Sequence, residues 1–276
     1  VHISFLTENG RLLASVDGGK GGNVLLRVAQ IKGADNPLKC AQIARSLVIG
    51  KVLNARTVLQ RRLRDHGPDT DCEDAVVRLA NVVQRLRMVE TTDEVRGLEG
   101  EAAAHYFGAF NSLLVAQAVD FRIGDRNRRP PRDPMNALLS FLYVLLANDC
   151  AGALKSVGLD AQVGFLHALR PGRASLALDL MEEFRAFFAD RLALSLVNRG
   201  QVRRKDFLVS ESGAVMMSET ARKSVLVEWQ NRKKDQLVHP FLGAKVDAGL
   251  LPFIQARLLA RHLRGDLDAY PPFLWK

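Results

Sequence analysis

The chain has 276 residues, 47% of them hydrophobic, enough for one large or two ordinary globular domains with a sizeable core. Lys plus Arg number 39 against 30 Asp plus Glu, and the resulting net charge of +9 favours anionic partners, nucleic acid being the commonest. The three cysteines, Cys40, Cys72 and Cys150, form no CxxC pair, which excludes a zinc knuckle and a disulfide framework and fits reduced thiols in the cytoplasm.

Residues 1 to about 30 read as β-structure. Two apolar runs, Val1–Leu6 and Arg11–Val16, flank Asn9-Gly10, a strong hairpin signal. The cluster Gly18-Gly19-Lys20-Gly21-Gly22 then turns the chain into a third predicted strand, Asn23–Val28. Three strands make a marginal sheet, and the chain opens on Val1 inside an apparent strand, so the first strands of a β-domain are expected to be missing. A polar link, residues 32–36, leads into a long helix that Pro37 opens, with apolar positions at Ile43, Leu47, Val48 and Val52. A second helix spans roughly Cys72 to Met88. Thr91 and Glu94 form a capping-box pattern that opens a third, running to about Ala116. Further helices are expected at about 135–156, 175–198, 217–234 and 247–264, with one hairpin, Asp206–Ser210 and Ala214–Met217, between them. The most apolar stretch, Ala137–Ala147, is broken by Ser140 and Tyr143 and falls short of the ~20 residues of a membrane span. No signal peptide is evident, and no membrane is expected. The fold class is mainly α: the remnant of a small β-domain (1–31), a linker (32–36) and a helical domain (37–276).

Three places could carry chemistry. Glu99, in Gly97-Leu98-Glu99-Gly100, shares a helical face with Val95, Ala102, Ala103, Tyr106 and Phe110. A buried carboxylate needs a partner or a metal, and two glycines inside one helix suggest close approach to the backbone. A core ion pair with an arginine explains Glu99 equally well. His167 ends the apolar segment Val163-Gly164-Phe165-Leu166 and precedes the basic turn Arg170-Pro171-Gly172-Arg173; a hydrogen-bonded core histidine is the plainer reading. Asp179, Glu182 and Glu183 fall three and four apart, lining one helical face opposite Leu180, Met181, Phe184 and Phe188. A solvated charged face is the simpler account, and a bound cation the alternative. Together, Glu and His ligands suit Mg²⁺ or Mn²⁺, which could activate a hydroxyl nucleophile and stabilise a phosphoryl transition state. Two basic clusters, Arg126-Asn127-Arg128-Arg129-Pro130-Pro131-Arg132 and Arg203-Arg204-Lys205, offer dense phosphate contacts.

The segment Gly97-Leu98-Glu99-Gly100 with Ala102-Ala103 and Tyr106-Phe107 resembles a signature of the CRISPR-associated adaptation integrases, the Cas-one family. So do Pro134-Met135-Asn136-Ala137-Leu138-Leu139-Ser140-Phe141 with Tyr143, Val157-Gly158-Leu159-Asp160 followed by Gly164-Phe165-Leu166-His167, and Ser175-Leu176-Ala177-Leu178-Asp179-Leu180-Met181-Glu182 with Phe184-Arg185. Order and spacing agree across most of residues 90–265, and the arginine-rich linker and closing segment Asp266–Lys276 look most like subtype I-C. The resemblance implies an N-terminal β-domain and a helical catalytic domain. It also implies a divalent-metal site carried over onto Glu99, His167 and Glu182, with Asp179 assisting or replacing Glu182. Tyr143, Arg170 and Arg185 would surround the metal or contact phosphates. The implied function is metal-dependent cutting and joining of double-stranded and branched DNA, inserting spacer DNA into the CRISPR array. The protein would act as a homodimer with a Cas-two partner. A non-catalytic DNA-binding scaffold, its carboxylates in ordinary ion pairs, is the alternative. A helical RNA-binding module is a third, with no aromatic stacking pattern to favour it.

Overall fold

A computed structural model describes residues 2–17, 23–124, 126, 127 and 130–275. The fold is mainly α, and the described residues form three short two-stranded antiparallel sheets. The first sheet pairs β1 (His2–Leu6) with β2 (Leu12–Asp17), as the hairpin signal predicts. Its turn runs from Thr7 to Arg11, closed by Thr7 N donating to Arg11 O at 2.7 Å and Gly10 N to Thr7 O at 2.9 Å. Gly10 supplies the left-handed residue at φ +77°.

The third predicted strand is instead a helix, α1 (Val24–Ala34). Asn23 caps it, its side chain accepting from the Leu25 and Leu26 amides at 3.1 and 3.4 Å. Leu26, Gln30 and Gly33, spaced four and three apart, turn inward. The alternating pattern of a strand and the inward stripe of a helix are hard to tell apart over six residues, and packing selects the helix here. The glycine cluster at 18–22 lies outside the described residues. Only Asp35 and Asn36 separate α1 from α2 (Pro37–His66), which Asn36 caps at Lys39 N.

Helices α3 (Thr70–Leu86) and α4 (Thr92–Gly108) pack on α2. The capping box forms as predicted: Thr91 Oγ1 accepts from Glu94 N at 3.3 Å while Glu94 Oε2 accepts from Thr91 N at 3.1 Å. Helix α4 stops at Gly108, short of the predicted end. A 3₁₀ turn, Phe110–Leu113, and the one-turn α5 (Ala118–Phe121) follow. The buried α6 (Pro134–Val157) starts at an Asp133 cap and stops at Gly158, φ +91°. By length and composition α6 is the one described helix that could cross a membrane, although no single uninterrupted apolar run marks it. With 67% of its most apolar window buried by the protein, it serves as the core helix.

The predicted helix over 175–198 is broken at the place that matters most. It comprises α7 (Ser175–Met181), a 3₁₀ turn (Glu182–Phe184), a π-helical turn (Arg185–Asp190) and α8 (Arg191–Asn198). Strands β3 (Phe207–Val209) and β4 (Val215–Met217) form the predicted hairpin, and α9 (Glu219–Arg232) follows. A hairpin that the sequence reading lacks, β5 (Gln236–Val238) with β6 (Lys245–Asp247), precedes α10 (Leu251–Arg264). Residues 265–275 then return as an irregular strap across α2 and the 3₁₀ turn, with Phe273 fully buried.

Candidate active site

The 3₁₀ turn packs against α2, and every acidic side chain of residues 175–198 is buried: Asp179, Glu182, Glu183 and Asp190. That removes the solvated-face reading. The change of helical pitch after Met181 also sends the Asp179, Glu182 and Glu183 carboxylates to different places, so they do not line one face.

Asp179 is spent on the loop that carries His167. Its Oδ2 accepts from Phe165 N at 2.6 Å and Leu166 N at 3.0 Å, and its Oδ1 from His167 N at 2.9 Å, with His167 Nδ1 at 2.7 Å. Gly164 makes the close approach feasible: a Cβ there would lie 2.8 Å from Asp179 Oδ2 and 2.9 Å from the Ser175 backbone. The loop is braced from two further sides. Gln30 of α1 donates to Asp160 O and Val163 O, both at 2.8 Å, and accepts from Asp160 N at 2.9 Å. Arg96 of α4 donates to Leu166 O at 2.8 Å. The Asp179 carboxylate at Nδ1 orients the His167 ring so that Nε2 faces Glu182.

Glu182 is 2% exposed, and its Oε1 lies 4.0 Å from His167 Nε2 and 2.9 Å from Arg185 Nη2. Its Oε2 lies 2.7 Å from Lys51 Nζ, in ion-pair contact without the alignment of a hydrogen bond. Burial alone would raise its pKa; the Arg185 and Lys51 charges reverse that and hold the carboxyl down at about 2. Glu99, on α4, reaches the same ammonium: Lys51 Nζ donates to Glu99 Oε1. At 28% exposure Glu99 is more open than its apolar helical face suggests, and its partner is a lysine where an arginine was expected. Among the described residues, nothing beyond the helix's own backbone and the adjoining residues lies within 4 Å of a Cβ built at Gly97 or Gly100, so the expected close approach to these glycines is not made by them.

Tyr143 and Arg185 form the wall beside Glu99. The Arg185 guanidinium stands 4.9 Å over the Tyr143 ring, whose hydroxyl donates to buried Asp190 Oδ1 at 2.6 Å. Burial pushes the Asp190 carboxyl up to about 6 despite that hydrogen bond. With Lys51, Glu99, Tyr106 and Phe107 these residues border a cavity of about 40 Å³. Arg126 of the first basic cluster turns inward over Tyr143 at 5.4 Å; Arg128 and Arg129 lie outside the described residues. Arg132, Arg203, Arg204 and Lys205 are exposed, as phosphate contacts require. Arg170 is exposed, and no described hydrogen bond or ion pair joins it to Glu99, His167 or Glu182.

The structure thus gathers Glu99, His167, Glu182, Asp179, Tyr143 and Arg185, and leaves Arg170 exposed and outside this set of contacts. Sequence reasoning missed Lys51 and Asp190. The signal for Lys51 was present: it is the one charge among Leu47, Val48, Val52 and Ala55 on the buried face of α2. Among the described residues, no three His, Cys, Asp or Glu side chains are yet drawn together as a coordination sphere. The donors nevertheless fit a divalent ion in kind, two carboxylates that already share one cation and an imidazole with a free nitrogen. The Lys51 ammonium stands between those carboxylates, where added positive charge would compete with it.

Fold and site together define a helical protein with a half-buried Glu–Glu–His cluster. The model of the CRISPR associated protein Cas1 family matches residues 1–231, and the chain belongs to that family. It is 53% identical over its whole length to the CRISPR-associated endonuclease Cas1 2 of Rhodospirillum rubrum, covering 81% of that protein. Among solved structures, a casposase bound to integration product superposes over all of this chain and 75% of its own, with a TM-score of 0.83 and 26% identity. The partial Cas6-RT-Cas1–Cas2 complex contains a chain with a TM-score of 0.81 and 25% identity, covering 100% of this chain and 81% of that one.

Proposed function

We propose that this Cas1-family chain is a divalent-metal-dependent DNA endonuclease and integrase that inserts spacer DNA into a CRISPR array. The observation that carries the reading is the convergence of Glu99 and Glu182 on one cation beside the free nitrogen of His167. Glu99, His167 and Glu182 would hold Mg²⁺ or Mn²⁺, which supplies a lowered hydroxyl pKa and charge for the pentacoordinate phosphoryl transition state. Asp179 keeps the His167 ring oriented to ligate. Arg185, with Tyr143 beneath it, offers a guanidinium to a DNA phosphate at the mouth of the site. In strand transfer, the oxygen of a DNA 3′-hydroxyl bonds to phosphorus in the repeat, and the bond from phosphorus to the outgoing 3′-oxygen breaks. The hydroxyl proton leaves to solvent and the outgoing oxygen takes one up. With water as the attacking group, the same site cuts branched or linear duplex DNA.

The similarity to a casposase on its integration product supports the joining reaction, and the relative named as an endonuclease supports cutting. Likeness to a chain of a Cas1–Cas2 complex supports a Cas2 partner. We further propose a homodimer of subtype I-C, working on cytoplasmic DNA, with the helical region from residue 37 as the catalytic domain and the β1–β2 hairpin as part of a β-domain.

One observation favours a second reading, the non-catalytic scaffold: Lys51 and Arg185 already pair both carboxylates. Titration calorimetry with Mn²⁺ on the parent and on Glu99→Ala separates the two. Saturable binding that is lost in the variant is expected of the enzyme; DNA binding with no Mn²⁺ uptake by either protein would establish the scaffold.

A further inference from the structure

Glu182 and Glu183 are neighbours, yet they face opposite ways from the 3₁₀ turn. Glu183 meets the C-terminal strap: its Oε1 accepts from the Tyr270 hydroxyl, and its Oε2 from Phe273 N at 2.5 Å and Gln255 Nε2 at 2.9 Å. All of these side chains are buried. Asn54 of α2 ties the same two segments by their backbones, donating to Glu183 O at 2.7 Å and Phe273 O at 2.9 Å and accepting from Trp275 N at 2.8 Å. One turn earlier, a Cβ at Gly50 would lie 2.9 Å from Pro272 Cβ and 3.3 Å from Glu183 Cγ, so α2, turn and strap meet with no room to spare. The residue after Gly50 is Lys51, the cation between Glu99 and Glu182.

We infer that the strap Tyr270–Trp275 is a positioning element of the site. Glu183 is its anchor, and it sets where Glu182 and Lys51 stand relative to each other. A short turn of 3₁₀ pitch between an α and a π segment has weak hydrogen bonding of its own and needs such an outside hold. This inference rests on the metal-site reading for its consequence, and on the Glu182–Lys51 ion pair alone for its geometry. Glu183 and Tyr270 therefore act through Glu182 and touch neither metal nor DNA.

The test uses the full chain and three variants: Tyr270→Phe, which removes one hydroxyl, Glu183→Gln, and Val225→Ala in α9 as a control for lost core packing away from the site. Two quantities are read beside the melting temperature: the Mn²⁺ binding midpoint, and the metal-free rate of Lys51 acetylation followed by mass spectrometry. Tyr270→Phe and Glu183→Gln are expected to weaken Mn²⁺ binding about tenfold, as residues that orient a ligand do, and to speed Lys51 acetylation severalfold. Val225→Ala should lower the melting temperature and leave both other readouts at parental values. An acetylation rate that stays parental in Tyr270→Phe and Glu183→Gln overturns the inference, as does one that rises equally in Val225→Ala. A parent that binds no Mn²⁺ defeats the metal reading instead, and the acetylation rates then decide the inference by themselves. Should Glu183→Gln fail to fold, Tyr270→Phe carries the test.

Discussion

Asp179 Oδ1 stands 2.7 Å from His167 Nδ1, and the same carboxylate gathers the amides of Phe165, Leu166 and His167. The carboxylate expected to assist or replace Glu182 is thus the group that aims the histidine, and Glu182 is the acid facing Nε2. Asp179→Asn replaces one accepting oxygen with an NH₂ among donors. We expect Mn²⁺ affinity to fall about 10- to 100-fold with helical content unchanged. Calorimetry and circular dichroism check this, and unaltered Mn²⁺ affinity would show that His167 needs no such support.

Gly164 lies against that carboxylate, and Gly164→Ala forces a methyl to within 2.8 Å of Asp179 Oδ2. The loop must shift and at least one buried hydrogen bond must open, at a cost of about 1–3 kcal/mol. Chemical denaturation should show that loss, with a parental slope if the fold is otherwise retained.

Lys51 holds two carboxylates apart from each other's charge. In Lys51→Met the buried Glu182 keeps Arg185 but loses its other cation, and the metal-free protein should lose roughly 3 kcal/mol. Added Mn²⁺ should then raise the melting temperature of the variant more steeply than that of the parent. Equal metal-induced shifts would mean that lysine and metal do not share a place.

Asp190 gives a pH signature. Its folded carboxyl is raised from 3.8 to about 6 by burial, against the Tyr143 hydrogen bond, so the folded protein holds this proton more tightly than the unfolded chain. The stability it contributes is complete below about pH 4 and fades as pH rises through about 6, amounting to ~3 kcal/mol at most. Asp190→Asn stays neutral. Its melting temperature relative to the parent should climb between pH 4 and 8, and a difference independent of pH would refute the shift.

Much of this was legible in the chain itself. Capping residues such as Thr91, Asp133 and Gly158 mark helix ends locally, so the helices fall close to where they are expected. The segment after Asn23 was not legible, because its few apolar residues suit either a strand face or a helix stripe until Leu26 and Gln30 find their partners. Glu99 stood out as a charge on an apolar helical face and His167 as the end of an apolar run, whereas Asp179 and Glu182 read as a charged face and became candidates through the family resemblance. Their division of labour did not stand out, since it depends on a change of helical pitch at Glu182 that no single residue there announces. Lys51 was visible by the same rule as Glu99, a charge on a buried face. The strap's grip on Glu183 joins residues nearly ninety positions apart, and no local pattern encodes such a contact.

Glu99, His167 and Glu182 are proposed to form one metal-dependent DNA-processing site. This is tested most directly by incubating branched and linear duplex DNA with the parent and with His167→Ala, with and without Mn²⁺. Mn²⁺-dependent cleavage and strand transfer are expected of the parent, and neither reaction of the variant. Undiminished cleavage or strand transfer by His167→Ala would contradict the proposal.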